Sequence, residues 1–479
     1  MDKVASYYVG FFLKIFSPLL LLPVIIGKIY GESFTQLEPF IISSFVSIVL
    51  GYLLGMVGKR ERPDAIQGML AATVGWVLAV FIGGLPFKIM LEWSFVNAFF
   101  ESMSGFSTTG MSIVQNISAL PTSLVFWRAF IQWIGGLGIL TFFVTVVVKA
   151  GGAATSLLSA ESNKTSGGSI RPSLFNSIKS LWYVYVAFTV IELLALKLAG
   201  MNWLNSALYS FTTMPTGGFA NTAGGVSAFS PTIQGILAVF MLAGGTNFLL
   251  LYRLLKGNIS SFFKDFEFKL YISIMAIAAL IIGSDLVLNN GMGIFGSLKT
   301  AVFQTISVTS STGFELQPMS SFSEVSRLVF FLLMFVGGSL GSTTGGVKMF
   351  RLGIMFKIVA REIRSFTLPR NAINYITSNG KKLADNDLVR IVAIFFLWIA
   401  LIVVGGIVTL YMTDLSIINA MQGMTSSIGT MGPLFISKAE LIALPSVVKI
   451  FWALGMLAGR LELLPILVLL NVEIFKRFD

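Results

Sequence analysis

Ser107-Thr108-Thr109-Gly110 is a short polar stretch between apolar runs, and its pattern returns three times along the chain. The other copies are Pro215-Thr216-Gly217-Gly218, Ser310-Ser311-Thr312-Gly313 and Gly429-Thr430-Met431-Gly432. Aligned on the last glycine, the position two before it is Thr108, Thr216, Ser311 and Thr430, a small hydroxyl residue every time. The position thirteen before it is Asn97, Asn205, Thr300 and Asn419. Asn419 registers the fourth copy on Gly432, with Gly429 as the competing assignment. Glycine admits backbone with positive φ, so successive carbonyls can turn toward an axis. A hydroxyl adds one more oxygen at the inner end. Four copies in one chain point to a ring of carbonyls around a pore, replacing the hydration shell of a cation. The plainer reading is four Gly/Thr turns between helices.

Composition sets the surroundings of these loops. The chain of 479 residues is 55% hydrophobic and 11% charged, against about 25% charged in a soluble domain. It is therefore read as a polytopic membrane protein. With no His and no Cys, disulfides, thiolate or imidazole metal sites and Cys- or His-based catalysis are excluded. No other cluster suggests an enzyme.

About 20 apolar residues cross a bilayer core. Such stretches lie near 8–29, 38–58, 65–87, 122–148, 180–199, 232–254, 270–288, 326–357, 391–412 and 446–470. Residues 1–30 run into a full-length span with no small-residue cleavage site, so no cleaved leader is expected. Each Gly/Thr stretch sits between two spans, behind an amphipathic run too short to cross. That run reads as a re-entrant half-helix, allowed where protein or water covers its backbone. Its C-terminal end, with partial negative charge, would face the central cavity.

The net charge of +11 is distributed unevenly. Lys3, Lys59, Arg60, Arg62, Lys149, Lys164, Arg171, Lys179, Arg253, Lys256, Lys264, Lys269, the run from Lys348 to Arg390, Lys476 and Arg477 share one side. Lys28, Lys88, Lys299, Lys438 and Lys449 fall on the other. Positive loops stay cytoplasmic, so both termini are expected inside, and all four Gly/Thr loops enter from outside. The excess reads as this signature against a bilayer and not as nucleic-acid binding.

The expected architecture is an all-α polytopic membrane protein. Four span–pore-helix–span repeats surround one central pore, with two extra N-terminal spans. The divisions are 1–60 for the N-terminal pair, then 61–155, 156–258, 259–365 and 366–479 for the repeats. A pair of small residues follows each loop: Gly135-Gly136, Gly244-Gly245, Gly337-Gly338 and Ala458-Gly459. These suit close helix packing.

Two features break the apolar pattern. Gly341-Ser342-Thr343-Thr344-Gly345-Gly346 interrupts the 326–357 stretch just before Lys348. Gly costs about 1 kcal/mol against Ala in a helix, so this segment is either a packing kink or an irregular loop lining water. Arg460 sits near the centre of the last apolar stretch. It is either paired with an acid such as Glu462 or turned toward water. Glu192 is a second charge within a span, with no role beyond a helix contact. The basic stretch 358–390, with Arg361, Arg364, Arg370, Lys381 and Lys382, reads as a solvated surface facing lipid headgroups. Gly151-Gly152 and Gly167-Gly168 lack the Lys-Ser/Thr of a phosphate loop, so no organic cofactor is expected in this chain.

Ser104-Gly105-Phe106-Ser107-Thr108-Thr109-Gly110, Thr216-Gly217-Gly218-Phe219, Ser311-Thr312-Gly313-Phe314 and Thr430-Met431-Gly432-Pro433 resemble the Trk/Ktr/HKT superfamily of potassium transport proteins. Trp127-Arg128 and Gln132-Trp133-Ile134-Gly135-Gly136-Leu137-Gly138 add to the match, which covers about residues 60–479. The two extra N-terminal spans are similar to the TrkH-type membrane subunit rather than the eight-span Ktr type.

The resemblance implies potassium uptake through a channel-like pore in the inner or plasma membrane of a prokaryote. K+ would be the transported ion. The selectivity filter would be Thr108, Thr109, Gly110, Thr216, Gly217, Gly218, Ser311, Thr312, Gly313, Thr430, Met431 and Gly432. In related plant proteins a Ser at the first filter glycine goes with sodium permeation; here all four are Gly, which favours potassium. Gly341, Ser342, Thr343, Thr344, Gly345 and Gly346 would form an intramembrane gate with Lys348, facing the positive charge of Arg460. The subunit would form a homodimer under a cytosolic nucleotide-binding ring of TrkA type. The alternative is a sodium- or proton-coupled potassium symporter, since broken helices and repeats occur there too.

Overall fold

The computed structural model describes residues 2–150, 170–367, 369, 375–379 and 381–461. The Gly151-Gly152 and Gly167-Gly168 pairs, Arg370, Glu462, Lys476 and Arg477 lie outside them. The protein is an all-α polytopic membrane protein. Helices long and apolar enough to cross a bilayer occupy Lys3–Ile29, Phe34–Val57, Ile66–Met90, Lys179–Leu198, Phe266–Leu288 and Asp385–Met412.

The N-terminal pair packs antiparallel through small residues. A Cβ on Gly10 would come within 2.6 Å of Gly51 O. The Ser17 and Ser44 hydroxyls meet at 2.9 Å, and Ser47 donates to Leu13 O at 2.8 Å. Apolar burial cannot drive helices together in lipid, so close backbone approach and buried hydroxyl bonds do so. The pair then rests on the first repeat, where Phe16 and Phe40 contact Trp127.

Four units follow. Their first spans are Ala65–Met90, Ile170–Leu198, Phe266–Leu288 and Asp385–Met412. Their short helices are Phe95–Phe106, Trp203–Thr213, Ile294–Thr309 and Ile417–Gly429. Three of these start on a side-chain cap: Ser94, Asn202 and Ser416 accept from the N–H of Asn97, Asn205 and Asn419. Such caps satisfy helix-start donors that the helix cannot. The third repeat differs. Its helix begins earlier, at Ile294, behind Gly293, so Thr300 lies within the helix instead of at its start.

The second spans depart from expectation in two repeats. Residues 232–254 are not one helix: Pro231–Gly244 and Phe248–Leu255 meet at 113°. Residues 326–357 are Glu324–Val336 and Met349–Ser365, with irregular backbone between. The break therefore begins at Gly337 (φ 71°) and ends at Lys348 (φ 77°), wider than Gly341–Gly346. In the fourth repeat, helix Ser446–Arg460 carries Arg460 in its last turn, and residues 462–470 of that apolar stretch lie outside the described ones. The N-terminal stretch is likewise two helices, Lys3–Leu19 and Leu22–Ile29.

The small pairs of repeats one, two and four pack against a specific target, while Gly337-Gly338 of repeat three lies in the irregular segment. A Cβ on Gly135 would overlap Phe106 O, and one on Gly459 would overlap Ile428 O. One on Gly244 would lie 3.1 Å from Met214 O. All three carbonyls stand four residues before the last glycine of a Gly/Thr loop. The glycines thus let the second spans press against the ends of the short helices.

Candidate functional site

Each short helix ends in the same way. Thr108 N–H donates to Gly105 O and Thr109 N–H to Ser104 O, at 3.0 and 2.9 Å. Thr216 and Gly217 repeat this on Thr213 and Thr212, Ser311 and Thr312 on Val308 and Ser307, Thr430 and Met431 on Ser427 and Ser426. This is a Schellman cap, whose left-handed residue is usually Gly. Here it is a hydroxyl residue: Thr108, Thr216, Ser311 and Thr430 have φ of 57°, 56°, 56° and 48°. A left-handed L-residue costs roughly 1–2 kcal/mol, so four copies of that choice retain strain at one place. Strain of this kind gathers at functional sites. The glycine two residues on also has positive φ: 86° at Gly110, 71° at Gly218, 81° at Gly313 and 91° at Gly432. The matching pair at Thr430 and Gly432 fixes the fourth register, and Gly429 is the last helical residue.

The four loops close on one another. A Cβ on Gly110 would overlap Gly217 O, one on Gly218 would overlap Thr312 O, and one on Gly313 would overlap Met431 O. One on Gly432 would lie 2.5 Å from Thr109 O. Every glycine therefore faces the middle carbonyl of the next loop, in the cyclic order one, two, three, four, one. The hydroxyls of Thr108, Ser311 and Thr430 are buried and accept or donate no hydrogen bond. Orphaned buried hydroxyls are uncommon and call for an explanation. Oxygens held free around a ring offer the donor chemistry that a dehydrated monovalent cation requires.

Polar side chains on the short helices brace the chain leaving the ring. Glu101 accepts from Ile113 N–H, Gln304 from Leu316 N–H and Gln422 from Phe435 N–H, at 2.9, 2.9 and 3.1 Å. Each N–H stands three residues past the ring glycine. In repeat two, the Tyr209 hydroxyl meets that of Thr222 at 2.9 Å. Glu101 is also paired with Arg128 at 3.1 Å, both fully buried. Gln132 reaches across to repeat two, donating to Gly217 O at 2.7 Å and accepting from Phe219 N–H at 3.2 Å. These braces escape the sequence reading because their residue types differ between repeats and their offset from the ring glycine shifts in the fourth, where Gln422 stands one residue further from Gly432.

Over the ring opens a cavity of about 540 Å³, lined by all four ring glycines and by Arg128, Glu315 and Lys438. Burial raises the Glu315 carboxyl to about 7.

The irregular segment of repeat three touches the other side of the ring. Thr343 Oγ1 lies 3.3 Å from Thr216 Oγ1, 3.0 Å from Met214 O and 3.2 Å from Gly244 O. A Cβ on Gly345 would overlap Gly429 O and Thr430 Oγ1. The Ser342 and Thr344 hydroxyls pair at 2.7 Å, and Lys348 donates to Thr344 O. Arg460 donates to Thr343 O and Gly135 O, both at 2.6 Å, and to Gly136 O. Among the described residues it therefore binds carbonyls of repeats one and three; the Glu462 partner lies outside them. A cavity of about 20 Å³ beside the loop is flanked by Lys348, Arg351 and Arg460. Glu192 is fully buried in the first span of repeat two.

Sequence reasoning missed the acid that ties this segment down. Glu267, 6% exposed, accepts from Leu340 N–H at 2.6 Å and Phe350 N–H at 3.1 Å. Its only signal is an acid among the basic residues Lys264 and Lys269 at the start of a span.

Known proteins resemble this chain over nearly its whole length. A family model of TrkH cation transport proteins matches residues 38–476. The Trk system potassium uptake protein TrkH of Salmonella typhimurium is 30% identical over 99% of both chains. An uncharacterized cation transporter of Methanocaldococcus jannaschii is 30% identical, over 98% of this chain and 95% of its own length. Among solved structures, the potassium transporter TrkH from Vibrio parahaemolyticus superposes with a TM-score of 0.86 at 25% identity. That match covers 98% of this chain and 99% of that one.

Proposed function

The chain belongs to the TrkH family of cation transport proteins, and from that premise we propose that it takes up potassium through a channel-like pore. The selectivity filter is the ring of Thr108–Gly110, Thr216–Gly218, Ser311–Gly313 and Thr430–Gly432. One observation carries the reading: four left-handed hydroxyl caps interlock in a closed ring, and three of their hydroxyls are left without partners. Such a ring replaces the water that a cation sheds on entering. The potassium named for the relatives supports the choice of ion.

The segment Gly341–Gly346 is the gate, in the position where it obstructs passage beneath the filter. Arg460 holds it by Thr343 O and, with Lys348, places positive charge beside the path, which raises the barrier to a cation. Residues 1–60 are an accessory helix pair, and 61–155, 156–258, 259–365 and 366–479 are the pore repeats. The basic loops face the cytoplasm by the positive-inside rule, with both termini inside. Two copies pair in the membrane of a prokaryote. A cytosolic nucleotide-binding subunit of TrkA type controls the gate from that side.

Reconstitution into liposomes tests the proposal. Under opposed potassium and sodium gradients, the reversal potential should follow potassium alone. A potential that shifts with sodium or proton gradients at fixed potassium would move the assignment to a coupled symporter. Absence of any cation flux, with or without a regulator, would end it.

A further inference from the structure

The intramembrane segment is fastened at a second place, far from Arg460 in sequence. Phe350 lies in the first turn of helix Met349–Ser365, where N–H groups have no partner within their own helix. The capping residue Lys348 supplies no side-chain bond there. Glu267 supplies it from another span, and the same oxygen takes the N–H of Leu340. One carboxylate thus joins the segment to the helix that leaves it. A negative group at a helix start is also favoured by the helix dipole.

The start of the span bearing Glu267 is gripped in turn. Asp265 Oδ1 caps that helix by accepting from Phe268 N–H at 2.9 Å. Its Oδ2 accepts from Asn379 Nδ2 at 3.0 Å, and Asn379 Oδ1 accepts from Phe266 N–H at 3.2 Å. Asn379 is the left-handed turn residue (φ 47°) of a small hairpin in which Thr377–Ser378 pairs with Lys381–Lys382. Lys357 closes the arrangement: it donates to Thr377 O at 2.8 Å and lies 3.8 Å over the Phe266 ring. A hairpin in the longest basic loop is therefore bonded to residues 265 and 266, next to the clasp at 267.

We propose that Glu267 is a positioning residue that clasps the intramembrane segment in its obstructing place, and that the Asn379 hairpin is the handle that sets the clasp. Drawing the hairpin away removes the bonds to Asp265 and Phe266, shifts the start of their helix, and releases Leu340 and Phe350. As a gating device this rests on the proposed function; as a linkage between hairpin and segment it does not.

The absence of cysteine makes the linkage measurable without ion flux. Ser342→Cys is placed in the full chain in liposomes and its modification by a charged methanethiosulfonate is timed. Glu267→Ala should raise that rate about tenfold, as expected for loss of two hydrogen bonds to a largely buried carboxylate. Glu267→Gln, which keeps an acceptor oxygen, should stay near the parent rate. Asn379→Ala should raise the rate about threefold, losing bonds that are more exposed, and should add nothing in the Glu267→Ala background. An unchanged rate in Glu267→Ala, or equal effects of Asn379→Ala with and without Glu267, overturns the proposal. If Glu267→Ala does not fold, the exposed Asn379→Ala variant decides alone: a faster rate supports the linkage and an unchanged rate overturns it. This labelling pattern in a protein without potassium flux would sink the transport reading and leave the linkage standing.

Discussion

In the ring, the backbone at equivalent positions takes equivalent shapes. The four left-handed hydroxyl residues span only 48° to 57° in φ, and each glycine meets the next loop's carbonyl. One layer away the equivalence ends. Repeats one and four keep a helix through the small pair, repeat two bends by 113°, and repeat three unwinds from Gly337 to Lys348. Contacts there run between unlike residues: Thr343 with Met214 and Gly244, Arg460 with Gly135, Gly136 and Thr343, Glu267 with Leu340 and Phe350. As the proposed filter, the ring needs the same donor from every side, so it tolerates repetition. As the proposed gate, the segment needs one copy, and the other repeats must make room for it.

The largest effects are expected at the ring glycines. Gly218→Ala adds a carbon that overlaps Thr312 O, and potassium flux should fall to about a tenth or less because the oxygens lose their spacing. Gly110→Ser and Gly313→Ser should lose potassium flux or admit sodium, read as a shift in reversal potential. If one of the four glycines tolerates a side chain with flux and selectivity intact, the ring is not equivalent. The asymmetric layer answers in the opposite direction. Arg460→Ala removes the donors to Thr343 O and Gly135 O, and flux should rise roughly fivefold as the positive barrier is lost. Deleting Gly341–Gly346 should also raise it. Unchanged or lower flux in folded protein removes the gating role.

Smaller effects sharpen the contrast. Gln422 donates to Pro433 O and accepts from Phe435 N–H, fully buried. Gln422→Leu strands both groups, so thermal unfolding in detergent should show a loss of about 1–3 kcal/mol. Gln304→Leu strands only the Leu316 N–H, so its loss should be the smaller of the two. The smallest effect is expected at the mouth. With its carboxyl raised to about 7, Glu315 is ionised above that pH and neutral below it. Uptake at subsaturating potassium should therefore decline about twofold as outside pH falls through 7, since a negative mouth concentrates cations. The decline should vanish in Glu315→Gln.

Legibility followed the same division. The Gly/Thr loops could be registered because three repeats carry the motif at one distance from Asn97, Asn205 and Asn419, with Thr300 at that place in the third. The break in repeat three was visible because glycines interrupt an apolar run, although its ends at Gly337 and Lys348 were not. The bend at Gly245–Asn247 carries only the pair Gly244-Gly245, which reads equally well as close helix packing. Residues 232–254 are apolar enough to read as one helix, and the turn depends on Ser339 N–H donating to Gly245 O and Phe248 N–H to Gly341 O. Those partners come from another repeat. The braces were hidden for the opposite reason: Glu101, Gln304 and Gln422 share a task without one common residue type, and repeat two has Tyr209 on the Thr222 hydroxyl in its place.

By itself the sequence determined that this chain lies in a bilayer, that its helices come in four units, and that each unit ends a short helix in a hydroxyl and a glycine. Apolar length and local backbone preference are properties of neighbouring residues, so they are written in order along the chain. Tertiary structure alone decided that the left-handed residue is the hydroxyl one, that each glycine is required by the next loop's carbonyl, and that Arg460 and Glu267 hold one segment from two sides. Those contacts join residues as far apart as Gly135 and Arg460, and no local pattern encodes which of many buried carbonyls a distant guanidinium will meet.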